Sequence, residues 1–539
     1  MISLRSGVLS AADAPRSSQT TSFIGDWQSI RQAIVERRTY LTAAVVFVVV
    51  MIVYLQTIMQ GPAFFDTAEY QVAPYVLGNM HQTGYPLYGI VGKIFGTLVP
   101  IGSFGYRMNL MASVFLAIMA AMLIFFLFRY DITPPVAFAA ALSFAFAQNV
   151  WHTAQHADPH PLTALIAASL WLMALRWKDT GDRRWLWATA FLSGLGLGAA
   201  AVLVAELPAI IIYTVISQPR RFFYPITMIV AGLLGVIGVV GIYTYLPIRA
   251  MMNAPINYWN PQTWERFRDV VLSGGGDLYS WQGLHEAPRV IGIYAPQIYA
   301  WYGEWLTPAG RAIVWVLAVI GVIALMRRDW RLAFTVSFGL LFPMYASITV
   351  PNAERGRYFI MSNWLLFFLA AVGTQAIFIS SLRRIDRGSI RQSLAVLGIG
   401  LILLFPCYMA HSLWNSDLHN DHDAEVFIDG VFAAVKPNAL ILSWWGSSTA
   451  LWYGRYVEGK RPDVTIMDDS EALPRGWNDL TSAIDLYYGK RPIYTVSWPD
   501  EVQRYGRKYR FREVAKLAWF GMNVDEVIGR KDDHSKAAP

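Results

Sequence analysis

Eleven apolar runs divide this chain, at about 41–59, 107–128, 134–150, 162–177, 186–200, 203–217, 224–246, 311–326, 332–350, 359–381 and 393–411. A helix needs roughly 20 apolar residues to cross ~30 Å of hydrocarbon, so several of these lie at the short end for a span. A chain built this way has few options, because inside lipid every backbone polar group must bond within the protein. Composition agrees: 55% of residues are hydrophobic and 15% are charged, against about 25% charged in soluble domains. The fold class expected is mainly α, a polytopic membrane protein with about eleven spans. Residues 1–40 are polar and include Arg31, Arg37 and Arg38. They read as a cytoplasmic segment, and 41–59 as a retained signal anchor, since the run is longer than a signal-peptide core and no small-residue cleavage site follows.

The charges test this division. With the N-terminus inside, the inner loops hold Arg129, "RWKDTGDRRW" (176–185), "QPRRFFY" (218–224), "RRDWR" (327–331) and "RRIDRGSIR" (383–391). The outer loop "WHTAQHADPHP" (151–161) has no Lys or Arg. This is the positive-inside pattern, and a miscounted helix would invert it downstream. Among the short outer loops only "PNAERGRY" (351–358) is basic. The net charge of +7 is spread over such topology clusters, which argues against a nucleic-acid-binding face. The single Cys407 lies in an apolar run and excludes an intrachain disulfide.

Three units follow: a cytoplasmic segment 1–40, a transmembrane domain 41–411 with outer loops 60–106, 151–161, 247–310 and 351–358, and an extracytoplasmic segment 412–539. The last is different material. Short β-branched runs at 439–443, 463–467 and 492–496 alternate with helix-like stretches near 447–458 and 477–489, the pattern of a small α/β domain. In the first outer loop, 84–99 is too short and Gly-rich to span and fits a re-entrant or interfacial helix.

Two carboxylates, Asp66 and Glu69, follow the first run at a spacing that puts both on one helix face. Such a pair either stabilises a helix N-terminus or supplies a general base at the membrane boundary. The motifs around it narrow the choice. "FFDTAEYQVAPYVLGNMHQTGYPLYGI" contains Asp66-Thr67-Ala68-Glu69 and then His81-Gln82-Thr83-Gly84-Tyr85-Pro86-Leu87, and Arg107-Met108-Asn109 follows. The stretches "YLPIRAMMNAPINYWNPQTWERF" (245–267) and "YVEGKRPDVTIMD" (456–468) continue in order. Together they resemble the protein O-mannosyltransferase-like branch of the GT-C membrane glycosyltransferases, with its D-[ST]-x-E, H-x-x-G-Y-P-L and R-x-N motifs.

The resemblance implies a fold and a chemistry. A polyprenyl-phosphate sugar is the donor, an acidic residue of the first outer loop activates the acceptor, and transfer inverts the anomeric carbon. Asp66 occupies that position, with Glu69 beside it. Departure of a phosphate needs no general acid but does need positive charge nearby. Arg249, Arg357 and Arg355 are the candidates on the outer face, against a reading in which they snorkel to headgroups. His81, Tyr85, His156 and Asp158 are expected to contact substrate. Asp158 stands in "ADPH" where the family usually has A-E-x-Y, and Ala199–Ala201 replace polar residues common in relatives. His152 and His156 are at metal-binding spacing, but Pro159 and Pro161 break any helix that would carry the neighbouring ligands, so no metal or cofactor is indicated. Arg107 is expected to anchor the second helix.

The function implied is an inverting transfer of mannose or another hexose to an acceptor hydroxyl on the outer face. The acceptor is a protein Ser/Thr, a glycan or a lipid. The competing class is a lipid-sugar flippase, which would place ionisable groups at mid-membrane. Glu206, close to the small-residue break at 194–201, is its best candidate. "SWWGSSTALWY" (443–453) begins at a strand end and reads either as core or as a glycan platform, since Trp faces stack on sugars.

Overall fold

The computed structural model describes residues 18–272, 308–348, 355–383, 388–413, 418–477, 479–499, 502, 507–517 and 521–531. Among the described residues helices cover most of each apolar run, and 134–150 is divided between Pro134–Ala145 and Gln148–Ala154. Among the described residues, five helical segments are long and apolar enough to cross a membrane: Glu36–Thr57, Phe104–Phe128, Pro225–Met251, Gly356–Leu382 and Gly388–His411. Pro134–Ala145 and Leu203–Ser217 are shorter apolar helices. The segment 186–217 forms two helices, Arg183–Gly196 and Leu203–Ser217. Pro308–Ile348 is broken at Asp329, which lies between two of the apolar runs.

The helix His160–Thr180 shows how the loops sort into two ends. Its 21 residues rise about 30 Å at ~1.5 Å each, the thickness of a hydrocarbon core. At its C-terminal end Asp179 accepts from Arg129 at 2.6 Å, Lys178 pairs with Asp329, and Arg328 pairs with Asp131 at 2.7 Å. These are the arginine-rich loops expected on one side. At the N-terminal end lie Asp158 and His160, joined to the loops expected on the other side.

Residues 440–530 contain a five-stranded sheet in the order β2-β1-β3-β5-β4, with β1 Leu440–Ser443, β2 Thr465–Asp468, β3 Ile493–Ser497, β4 Tyr509–Lys516 and β5 Asn523–Arg530. β1 pairs in parallel with β2 and β3, and an antiparallel hairpin, β4–β5, completes the edge. The parallel strands fall where alternation places them. The hairpin is an addition that the short apolar runs do not signal, because β4 is mostly exposed and charged.

The sheet is not a separate bead. Phe427, Ile428, Ile441, Tyr453 and Val524 belong to the same buried cluster as the apolar helices. Helix Trp445–Trp452 packs on helix Phe65–Val76. Gly446 allows this approach, since a Cβ there would lie 2.6 Å from the Phe65 ring. Trp444 meets Phe65 edge to face at 5.5 Å.

Candidate functional site

The first loop is held by a buried amide. Asn109, the end of the R-x-N motif, accepts from Gln71 Nε2 at 3.0 Å and from the Ala157 backbone at 2.8 Å, and donates to the Met59 carbonyl at 2.9 Å. One side chain thus ties the end of the first long helix, the helix bearing Asp66, and the 151–161 loop. Arg107 donates to the carbonyls of Gly96, Ile101 and Gly102 at 2.8–3.2 Å, anchoring the turn before its own helix. Gly84, at φ +85°, sits against Leu246, where a Cβ would come within 2.8 Å.

With the loops fixed, residues distant in sequence meet. Asp66 lies in the first turn of Phe65–Val76, and its Oδ2 accepts from Arg357 Nη2 at 2.6 Å. Arg357 Nη1 donates to Asp158 Oδ2 at 3.1 Å. Asp158 Oδ1 also takes the His160 backbone N–H at 2.6 Å and contacts its Nδ1 at 2.7 Å. Glu69 receives the His81 backbone N–H at 3.1 Å and pairs with the His81 ring. Tyr70 Oη lies 3.5 Å from His81 Nε2, and the Tyr85 ring packs edge-on to both His81 and Tyr70.

Exposure separates the three carboxylates. The side chains of Asp158 and Glu69 are 0% exposed, and that of Arg357 is 6%, but that of Asp66 is 23%. Asp158 and Glu69 are therefore positioned to hold Arg357 and His81, and Asp66 is the carboxylate that an incoming group can reach. Burial pushes the Asp66 carboxyl up, but the His81 and Arg357 charges and the Arg357 hydrogen bond outweigh it and hold it below the usual range. Burial also opposes ionised Asp158, yet His160 and Arg357 hold it well below the ordinary carboxylate value. Burial disfavours charged His81, but Glu69, through charge and hydrogen bond, raises its pKa, with Asp66 adding. His156 goes the other way: burial dominates and lowers it.

The remaining expected residues divide. Asp66, Glu69, His81, Tyr85, Asp158 and Arg357 are drawn together. His156 is buried beside His152 at a ring distance of 5.0 Å, with Nδ1 unpaired. Arg249 donates to the carbonyls of Leu77 and Val76 at 2.7 and 3.0 Å, covering the C-terminal end of the Asp66 helix. The side chain of Arg355 lies outside the described residues, as does 273–307 of the third outer loop. No group of three or more His, Cys, Asp or Glu able to hold a metal occurs among the described residues. Two contributors had not been expected at the site. Tyr258 and Trp445 pack their rings on His81 at 6.4 and 5.2 Å. Both lay in stretches singled out for other reasons, but nothing in their spacing points to His81.

Residues 66–221 match the family model of the protein O-mannosyl-transferase TMEM260 N-terminal domain. The N-terminal stretch is thus similar to that family, in a match that covers less than half of the chain. The chain is similar to the protein O-mannosyl-transferase TMEM260 of Mus musculus, 24% identical over 450 residues, which cover 80% of this chain and 63% of that one. The chain thus spans less than two thirds of that relative. The GT-C fold is seen in ArnT from Cupriavidus metallidurans bound to undecaprenyl phosphate, at TM-score 0.60 and 13% identity over 93% of this chain and 99% of that one. The apo form of ArnT gives TM-score 0.55 and 13% identity, with 91% and 97% covered. The matched N-terminal region begins at Asp66 itself and includes Asp158, but not Arg357.

Proposed function

We propose that the chain transfers a hexose, mannose by its family, from a polyprenyl-phosphate donor to an acceptor hydroxyl, with Asp66 as general base. The observation that carries this reading is the partly exposed carboxylate of Asp66, with Arg357 locked beside it. A hydroxyl is a weak nucleophile near neutral pH, and a carboxylate within hydrogen-bond reach takes its proton as the new bond forms. Asp66 stays ionised across the working range because its neighbours depress its pKa. The leaving phosphate needs a cation, and Arg357 supplies one inside the site. Asp158 and His160 hold Arg357 in place, and Glu69 holds His81. Arg249 is the second candidate for the phosphate, from the end of the helix that borders the cavity described next.

That cavity, of about 940 Å³, is lined by Leu197, Val204, Val239, Tyr243, Phe267 and Val271, and it reaches Thr83, two residues from His81. Its apolar lining suits an isoprenoid tail, and its place beside the His81 turn would bring the phosphate to the site. The ArnT structure bound to undecaprenyl phosphate supports a lipid phosphate as the class of donor. The name of the mouse relative supports a protein acceptor. The ionisable residues of the candidate site converge in the loops at one end of the helices, which supports transfer chemistry over a flippase, although Glu206 is buried within Leu203–Ser217.

The test uses the full chain in lipid nanodiscs, a labelled polyprenyl-phosphate mannose and a Ser/Thr-containing peptide. Transfer by the wild type and its loss in Asp66→Asn, with unchanged thermal unfolding, supports the reading. Equal transfer by the variant removes Asp66 from the mechanism.

A further inference from the structure

The C-terminal sheet meets the membrane site by the carboxyl ends of its parallel strands. β1 has β2 on one side and β3 on the other, so the chain reverses its direction across the sheet at β1. In open α/β sheets such a switch point leaves a crevice outside the strand ends, the usual place for a ligand. Here the strand ends carry Trp444 and Trp445 after β1, Asp468 at the end of β2 and Trp498 after β3.

Three buried polar atoms at this edge have no hydrogen-bond partner among the described residues: Trp445 Nε1, Asp468 Oδ2 and Ser497 Oγ at the end of β3. Buried polar groups are nearly always paired, so each such atom requires an explanation. Asp468 is fully buried, and its Oδ1 accepts from Ser470 at 2.9 Å. The Trp445 backbone N–H donates to Asp469 at 2.8 Å, which sets the ring's position, and the ring then packs edge-on to His81 at 5.2 Å. Asp468 lies within electrostatic reach of Glu69, and Tyr258 within reach of Glu69, Asp468 and Asp469. Trp445 Nε1 and Asp468 Oδ2 therefore lie on the sheet's side of the His81–Glu69 pair, next to the proposed reaction centre and outside it.

An indole N–H, an open carboxyl oxygen and aromatic faces are the chemistry that recognises a sugar ring. The hydroxyls take the polar groups and the C–H face takes the rings. Burial and the neighbouring carboxylates push the Asp468 carboxyl well up, so it can donate to a sugar hydroxyl as well as accept. We infer that Trp445 and Asp468 form a hexose-binding subsite, contributed by the C-terminal domain to the glycosyl-transfer site. Its role in transfer rests on the function proposed above; its binding of a hexose does not. The ring it holds comes either from the donor or from a hexose already present on an acceptor.

The probe is methyl α-mannopyranoside, with methyl α-glucopyranoside beside it, observed by saturation-transfer NMR on the full chain in nanodiscs. The variants are Trp445→Phe, which keeps a ring and removes the N–H, and Asp468→Asn, which keeps the shape. Each is expected to weaken hexoside binding about tenfold, which is ~1.4 kcal/mol. Unchanged binding in both overturns the subsite. If one variant loses its cooperative unfolding transition, the other decides alone. Two further arms identify the source. Weaker binding of polyprenyl-phosphate mannose, with sugar-free polyprenyl phosphate unaffected, assigns the ring to the donor. Weaker binding of a mannosylated peptide, with the donor unaffected, assigns it to the acceptor. Dependence of a bare Ser/Thr peptide alone on these residues overturns the sugar assignment in favour of a polypeptide site. A chain that binds hexosides through this pair but transfers none refutes only the enzymatic reading.

Discussion

Arg357→Gln tests the electrostatic frame of the site. In the wild type one guanidinium serves two carboxylates, at 2.6 Å to Asp66 and 3.1 Å to Asp158. Removing the buried cation leaves Asp158 buried with His160 as its hydrogen-bonded partner and His156 nearby, and removing one partner of a buried pair costs about 3–5 kcal/mol. The surviving His160 contact places the expectation near the lower end, about 3 kcal/mol. Asp66 loses both its hydrogen-bonded cation and its orientation. Transfer should then fall by roughly 10²–10⁴, the usual range for a positioned base. The double variant Arg357→Gln/Asp158→Asn removes the stranded charge. It should regain at least half of the lost stability and none of the lost activity, a non-additivity expected of groups in direct contact. The assay pairs denaturant or thermal unfolding in nanodiscs with initial rates of mannose transfer to a peptide. A single variant as stable and active as the wild type would refute the argument, as would a double variant no more stable than the single.

Other outcomes follow from the same geometry. Asp66 has a depressed pKa, so its stabilising charge is fully present above about pH 4 and is lost only as pH falls through the lower folded value. His81 has a raised pKa, so the His81–Glu69 contribution is complete below about pH 6.5 and is lost as pH rises through the folded value. The kcat/KM profile should therefore be flat down to about pH 4 and decline on the alkaline side, and His81→Gln should abolish the alkaline limb. Gly446→Val would drive a side chain into Phe65, costing about 1–3 kcal/mol by overpacking. It should loosen the C-terminal domain, seen as faster limited proteolysis after residue 412. Asn109→Leu removes the Asn109 partner of the Ala157 N–H and the Met59 carbonyl and leaves the Gln71 amide only its bonds to Gly61 and Ala63, so at about 1–3 kcal/mol for a stranded buried group it should unfold early in a thermal scan.

How far the sequence discloses this site depends on the distance over which each interaction acts. The apolar runs and the arginine bias are local properties set by the membrane, and the two charged ends of His160–Thr180 fall where those properties assign them. Asp66, Glu69 and His81 lie in one short segment and are visible as a motif. That Glu69 grips His81 while Asp66 remains accessible is not visible, because i, i+3 spacing gives both carboxylates the same face. Their partners separate them: Glu69 is buried against His81, and Asp66 meets Arg357. The Arg357–Asp66 pair closes over 291 residues. The sequence offered an arginine in an otherwise arginine-poor face, which marks the residue but not its partner. Arg249 carried the same mark and turns instead to the carbonyls of Val76 and Leu77.

The C-terminal domain was legible as a strand–helix alternation, but its relation to the site was not. It depends on Gly446 being small enough for Phe65, a single missing Cβ that no periodicity announces. That contact has a mechanical consequence. Phe65, at φ 54°, holds a left-handed conformation that a bulky residue adopts only when its surroundings impose it, and the neighbouring residue is Asp66. Trp444 and Gly446 are those surroundings. The backbone that aims the proposed base is therefore braced by the C-terminal domain, and whatever occupies the strand ends of its sheet is linked to the orientation of Asp66 through contacts that include Phe65–Trp444.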